Sequence, residues 1–564
     1  MKLSRIEIEN FKGIGDKQVI ELKPITLLFG PNSAGKSTIL QSLHYLREIL
    51  ERNNADPDQT IAGGLIDLGG FATLVHDHDL ARPIRLKLEL DLTDRQGDER
   101  LPINSGAFLT DDEFEELRVR YLVGENTELQ DYAIVEDVGL EVEIRWSEHL
   151  QGPFVAFLGV EINGDPVAAI QSPAQAGRAQ LTDFNFAHPL LRAIIDPDEE
   201  PEARAEQRGS PLEDEIAQLA REAALDRLTT NTEDDQFRIA VETVRGAIPA
   251  LDRQLGVDLR DPDVKKFELE STTHRVRGLR RLLDELVLGP VRIVRDYLGT
   301  MTYIGPLREI PSRSYRPRLS PDEARWAQGL AAWDLLYTDA SGWLLDEVND
   351  WLSGEERLGT GYRLEKVNFK EVPVPGAFHQ LFERGLTEDD LGVLQELYEG
   401  LSARAELALR DFEKGIIVAP SDVGVGISQM IPVIVASLRD NPGILAVEQP
   451  ELHVHPAIQV GLGDLFIRAI QENMDSAGLG AGKALLVETH SEHIMLRLLR
   501  RIRETTEGEL PPGVLGLTPE ELSVIYVEND GDGVRFRALR VDDEGEFIDR
   551  WPKGFFEERA EELF

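Results

Sequence analysis

The 564-residue sequence has no cysteine. Disulfides, thiolate-ligated zinc and thiol nucleophiles are thereby excluded, as fits a reducing, cytoplasmic setting. No run reaches the roughly eighteen uncharged apolar residues of a membrane-spanning helix, so no membrane association is expected. Residues 1–10 (MKLSRIEIEN) alternate like a strand, without the apolar core or cleavage site of a signal peptide. Heptads long enough for an extended coiled coil are missing too. Basic residues are scarce, 60 Lys and Arg against 103 Asp and Glu, for a net charge of −43. A uniformly acidic surface repels nucleic acid, whose binding is dominated by phosphate contacts. DNA or RNA binding would need local basic patches. Arg275-Arg277-Arg280-Arg281, Arg308-Arg313-Arg316-Arg318 and Arg497-Arg500-Arg501-Arg503 are the candidates, and solvated or salt-bridged helix faces are the plainer account of each.

Against these absences stands Gly30-Pro31-Asn32-Ser33-Ala34-Gly35-Lys36-Ser37, preceded by the apolar run Ile25–Phe29 and followed by Thr38-Ile39-Leu40. This is the phosphate-binding pattern G-x-x-x-x-G-K-[ST] in its strand–loop–helix context. The glycines let successive N–H groups from Asn32 to Thr38 face one anion, with the positive helix end behind them. Lys36 can then reach the β- and γ-phosphates, and the Ser37 hydroxyl can ligate Mg²⁺.

Taken in order, residues 1–95 read as strands leading into the P-loop and its helix, and 96–195 as a β-rich lobe with a hairpin at Asn163-Gly164-Asp165. Residues 196–300 open on an acidic loop, Asp196 to Asp214, and predict helices at Glu213–Leu228, Asp234–Ile248 and Val276–Leu288. A mixed region spans 301–410 and a second core block 411–530, before a tail, 531–564. Within that block Ile444–Val447 is a buried strand ending at Glu448, where a P-loop protein needs a carboxylate for Mg²⁺. Upstream, Ser421–Gln429 is a Ser/Gly-rich helix start whose N–H groups, with Gly426, Ser428 and Gln429, suit an anion. An ordinary capped turn is the alternative. Downstream, the strand Leu485–Glu488 leads to His490, placed to sense a γ-phosphate.

This order of motifs resembles the ATP-binding-cassette ATPases of the SMC, RecF and overcoming-lysogenization-defect class. The block Glu448–Pro456 and the tail Trp551–Phe556 are similar to stand-alone ATPases of bacterial anti-phage defence, such as the Septu ATPase subunit and retron-linked relatives. The resemblance covers 1–90 and 415–564 well and the middle third weakly, through Tyr303–Arg308. It implies an α/β fold, an ABC-type ATPase head with a P-loop core sheet, an attached antiparallel β lobe and a mainly helical inserted region. It further implies ATP and Mg²⁺, and a homo-oligomer built from head-to-tail dimers. ATP held by Lys36 and Ser37 of one protomer would be closed over by Ser428 of the other, with Leu452–Pro456 beside the interface and His490 as the switch histidine. In the systems it resembles, an HNH-type nuclease is a separate partner. The sequence departs from the pattern at Gln449, where Glu is usual as the general base. Either Glu451 takes that role, or hydrolysis is slow, because an amide orients water without accepting its proton.

Other readings are weaker. His453 and His455 have i, i+2 spacing, unlike a helical zinc pair. Glu528 and Asp542-Asp543 superficially suggest a Toprim nuclease, but 37 residues follow Val527, too few for such a domain, and an acidic hairpin fits better. A transporter subunit is disfavoured by the inserted middle third. A DNA repair or recombination ATPase acting directly on DNA, and a scaffold that binds ATP without hydrolysing it, remain as alternatives.

Overall fold

The computed structural model describes residues 1–551 apart from 61–65, 97–98, 103–134, 175–177, 186–187, 189–238, 257–282, 313–314, 320–323, 355, 388–389, 440, 472–482, 530 and 532; residues 552–564 also lie outside the description. The strands and helices that position the site are, in order, β1 (Lys2–Glu9), β2 (Gln18–Glu21), β3 (Ile25–Phe29), α1 (Thr38–Arg52), β4 (Ile84–Asp91), β5 (Asp137–Ser147), β6 (Gly152–Ile162), β7 (Asp165–Gln171), β8 (Gln180–Thr182) and β9 (Ile239–Ala240). Then follow α2 (Gly289–Gly299), β10 (Thr302–Ile304), α3 (Leu330–Thr338), α4 (Trp343–Ser353), β11 (Tyr362–Lys370), α5 (Ala377–Arg384), α6 (Leu391–Gly400), β12 (Ala403–Asp411) and β13 (Ile417–Val418). The last block holds α7 (Val425–Leu438), β14 (Gly443–Glu448), α8 (Pro456–Gln471), β15 (Lys483–Glu488), α9 (Glu492–Glu507), β16 (Leu522–Asn529) and β17 (Val534–Leu539).

The core sheet has the order β10-β14-β15-β3-β16-β17, parallel except for the final hairpin. Its inner strands are apolar on both faces, the signature of a sheet covered on both sides. In β3, Leu28 packs into one core while Ile25, Leu27 and Phe29 pack into the other. Ile444 and Ala446 of β14 face the first core, and Leu445 and Val447 the second. On the first side lie α1, α2 and the second sheet; on the other lie α3, α4, α7, α8 and α9.

That second sheet is antiparallel, in the order β9-β8-β7-β6-β5-β4-β1-β2. β4 alternates buried and half-buried residues over its whole length, as a sheet with one face in the core requires. The P-loop core sheet thus carries an attached antiparallel lobe in a mixed α/β fold. The lobe sheet draws strands from both 1–95 and 96–195. Residues 362–418 form a smaller three-stranded sheet, β11-β12-β13, beside which α5 and α6 leave Phe382, Leu391 and Tyr398 exposed.

The helix expected over Asp234–Ile248 is not formed in its described part. Residues 239–240, 243–245 and 248–249 are short strands. Ile239 and Ala240 extend the lobe sheet beside β8, and Val241, Ala247 and Ile248 are buried in the first core; sheet-edge pairing overrides local helical spacing here. The expected helix Val276–Leu288 is represented by a π-helical turn at Asp284–Leu288 that continues into α2. Glu213–Leu228, the acidic Asp196–Asp214 stretch and the tail beyond Trp551 lie outside the described residues.

Candidate functional site

The P-loop joins β3 to α1 on left-handed backbone at Gly30 (φ 148°), Ser33 (63°) and Gly35 (102°). Gly30 has no room for a side chain: a Cβ there would stand 2.2 Å from the Val527 carbonyl oxygen. Asn32 and Ser33 are exposed at the loop tip, while Ala34 and Thr38 are buried and Gly35 half-buried. Lys36 is 4% exposed. Its Nζ donates to the carbonyls of Gly30 (3.1 Å) and Pro31 (3.0 Å). Burial lowers the Lys36 pKa, and the carboxylates of Glu488, Glu451 and Glu448 partly restore it.

The Ser37 hydroxyl donates to Glu488 at 2.6 Å, and Lys36 Nζ stands 3.9 Å from the same carboxylate. Glu448 is Glu488's in-register neighbour, since β14 and β15 run parallel and end together. Glu448 also accepts from the Tyr303 hydroxyl at 2.9 Å. Burial, then repulsion from Glu488, pushes the Glu448 pKa to about 7. The hydroxyl and paired carboxylates are the hard oxygen donors that Mg²⁺ takes when substrate phosphates and water complete its shell.

Gln449 follows on left-handed backbone (φ 44°), and its N–H donates to the Glu488 carbonyl at 2.7 Å. Strained positions of this kind collect at functional sites. Arg308, 3% exposed, holds the turn: its guanidinium donates to the carbonyls of Glu448 (2.6 Å) and Gln449 (3.1 Å) and to that of Gln429 on α7 (3.4 Å). The Gln449 side chain makes no hydrogen bond among the described residues. Both Glu451 oxygens, by contrast, are occupied, accepting from Thr489 Oγ1 and the His490 N–H, each at 2.7 Å. The buried His490 Nε2 has no partner. Burial, reinforced by Lys36, lowers the pKa of this ring, favouring its neutral form.

The α7 start is arranged differently. Ser428 is fully buried and donates to the Pro420 carbonyl at 2.7 Å, so in this conformation its hydroxyl is not offered outward. Gly426 lies against the chain at His453, where a Cβ would be 2.1 Å from the carbonyl oxygen. Gln429 donates to the Arg308 carbonyl at 3.4 Å. Gly424 and Val425 are exposed. No hydrogen bond joins this start to the P-loop among the described residues.

The fold thus gathers Lys36, Ser37, Glu448 and Gln449 around Glu488 and Arg308, with Glu451 and His490 paired beside them; Arg308 also ties in Gln429, while Gly426 and Ser428 lie behind. Sequence reasoning missed Glu488, Tyr303 and Arg308. The first ends a buried strand just as Glu448 does, which was a readable signal; Tyr303 and Arg308 were marked only by the weak resemblance of their segment and, for Arg308, by a basic cluster. Of the basic clusters, Arg275, Arg277, Arg280, Arg281 and Arg313 lie outside the described residues. Arg497, Arg500 and Arg501 are paired with Asp464 and Glu504.

Comparison with known families agrees with this geometry. Residues 1–96 match the family described as "AAA ATPase domain", and residues 312–496 match "AAA domain, putative AbiEii toxin, Type IV TA system". Two segments of the chain thus match AAA-type ATPase domains, and the chain is an ATP hydrolase. These two segments of the ATPase hold the P-loop and the Glu448–His490 region respectively. Residues 517–564 match a family described as "Protein of unknown function (DUF3696)". No curated protein matches the sequence. Among solved structures, the ATPase is similar to an SMC head bound to the C-terminal winged-helix domain of ScpA (9% identity, TM-score 0.35, covering 96% of this chain and 98% of that one). It is also similar to the Pyrococcus furiosus Smc head with an extended coiled coil bound to the ScpA C-terminal domain (11%, 0.34, 100% and 98%). The Thermotoga maritima SMC head is a third (9%, 0.33, 96% and 100%). Among the described residues, no helix is long and apolar enough to cross a membrane.

Proposed function

We propose that this ATPase is an ATP-dependent switch, closing as a head-to-tail homodimer that controls a bacterial anti-phage defence complex with a separate nuclease partner. The observation that carries this reading is the half-built site: a P-loop and carboxylate set on one surface, and an α7 start, exposed at Gly424 and Val425, that makes no hydrogen bond to the P-loop among the described residues. A second copy can bring its α7 start to the open phosphate side, at a gain of about 1.5–3 kcal/mol per charge-assisted hydrogen bond. The defence assignment is supported by the resemblance of the Glu448–Pro456 block and by the toxin–antitoxin description of the 312–496 match. Exposed Phe382, Leu391 and Tyr398 on α5 and α6 offer a partner-binding face of the kind apolar patches mark. Asp542, a candidate nuclease carboxylate, instead closes a turn, accepting from the N–H groups of Glu544 and Glu546, which supports placing nuclease activity in another protein.

In the mechanism, Asn32 to Thr38, Lys36 among them, would hold the triphosphate, and Ser37, Glu448 and Glu488 would hold Mg²⁺, which would supply neutralisation of phosphate charge. His490 Nε2 is the free ring atom available to the γ-phosphate. Gln449 orients water but takes no proton, and Glu451 braces the Thr489–His490 turn instead of serving as base. Slow hydrolysis and a long-lived ATP state follow.

Size-exclusion chromatography with light scattering tests the reading. ATP should convert monomer to dimer, ADP should not, and Lys36→Ala should abolish the shift together with nucleotide binding. A monomer at saturating ATP, or Lys36→Ala protein that still binds ATP, rejects it.

A further inference from the structure

A cavity of about 370 Å³ opens at the opposite end of the core sheet from the P-loop. It is bounded by Thr300–Thr302, which lead into β10, and by Arg439, Asn441 and Pro442, which lead from α7 into β14. Trp326, Leu335 and Asp334 close another wall. β14 separates this end from Glu448 by six residues, or roughly 20 Å of strand. The cavity therefore touches the far ends of β10, β14 and α7, the elements that present Tyr303, Glu448 and the Gly-rich start at the nucleotide site.

Two of its polar groups, the Arg439 guanidinium and Asn441 Oδ1, are left unspent by the described residues. Arg439 lies with its guanidinium 5.1 Å from the Trp326 ring centroid and makes no side-chain hydrogen bond or ion pair among the described residues. Burial lowers its pKa, and a partly desolvated cation is costly unless paired. The lining's one carboxylate, Asp334, is already engaged by Arg325, the Tyr315 hydroxyl and the Arg318 N–H. Asn441 Oδ1 is buried without any hydrogen-bond donor. The rest of the wall is largely apolar, from Trp326, Ala331 and Leu335.

We propose that this cavity binds a small organic oxyanion, a carboxylate or phosphate monoester carrying an apolar ring. Arg439 takes the oxyanion through its fork of N–H donors, Trp326 and Leu335 take the ring, and Asn441 Oδ1 accepts from a hydroxyl or amino group on it. The volume lies at the small end of the range for ligand pockets, which limits the occupant to a small molecule.

Saturation-transfer NMR on the full chain tests this with benzoate and phenyl phosphate as probes and benzyl alcohol as the uncharged control. The Lys36→Ala chain is used for phenyl phosphate, so that the P-loop does not contribute. Benzoate binding to the wild type with little phenyl phosphate signal identifies a carboxylate ligand, and the reverse a phosphate ester. Arg439→Gln should weaken the binding anion at least tenfold, and Leu335→Trp, which fills the cavity and leaves Arg439 in place, should abolish it. Signals unchanged in both variants, benzyl alcohol binding as well as benzoate, or no signal from either anion overturns the proposal. None of these results depends on dimerisation or on hydrolysis.

Discussion

The Ser37 hydroxyl donates to the Glu488 carboxylate at 2.6 Å across 451 positions of sequence. This bond ties the P-loop to the end of β15 and places a second carboxylate beside Glu448. Groups that orient metal ligands typically cost 10–100-fold in activity when altered. Glu488→Gln should therefore lower Mg²⁺-dependent phosphate release by about that factor with an unchanged circular dichroism spectrum. A wild-type rate would remove Glu488 from the site.

Gln449 sits where a general base is wanted, on a turn fixed by Arg308 and the Glu488 carbonyl. Glutamate has the same length and tolerates the same backbone. Gln449→Glu should raise single-turnover hydrolysis, by up to the roughly 10²–10⁴-fold that general-base help supplies. An unchanged rate would mean that Gln449 does not limit turnover.

Arg308, itself buried, donates to three carbonyls, of Gln429 on α7, Glu448 at the end of β14 and Gln449 on the turn after it, the last shared with the Leu452 N–H. Each carbonyl left without a donor costs about 1–3 kcal/mol. Arg308→Met should lower the urea midpoint accordingly. Arg308→Lys should restore little, because an ammonium lacks the planar fork that reaches all three. Full rescue by lysine would show that charge alone matters there.

Glu504 supplies a pH test. Burial would raise its pKa, but hydrogen bonds from Arg500 and Arg501 outweigh that and hold it below the ordinary value. A folded-state pKa below the unfolded one stabilises the protein above the unfolded value, about 4.3, and the contribution fades as pH falls through the folded value. Thermal melts of wild type and Glu504→Gln should therefore differ most at neutral pH and converge in acid. A gap that stays constant down to acid pH would show that Glu504 acts through packing instead.

How much was legible follows from how local each feature is. Gly30–Ser37 could be read directly, because eight consecutive residues fix the turn, the left-handed glycines and the helix start together. The buried strands ending at Glu448 and Glu488 were readable for a similar reason: a short apolar run, too brief for a helix and ending in a carboxylate, fits a strand covered on both faces. What the sequence could not supply is adjacency. That Glu488 is Glu448's neighbour depends on the parallel register of β14 and β15, and the 451-position span to Ser37 closes only because β15 lies beside β3. Arg308 looked like part of a basic patch until tertiary packing buried it under two turns, and Ser428 looked outward-facing until its helix packed against the core. Spacing along the chain determined which groups could do chemistry. Sheet order and burial decided which of them meet, since both depend on contacts between distant segments.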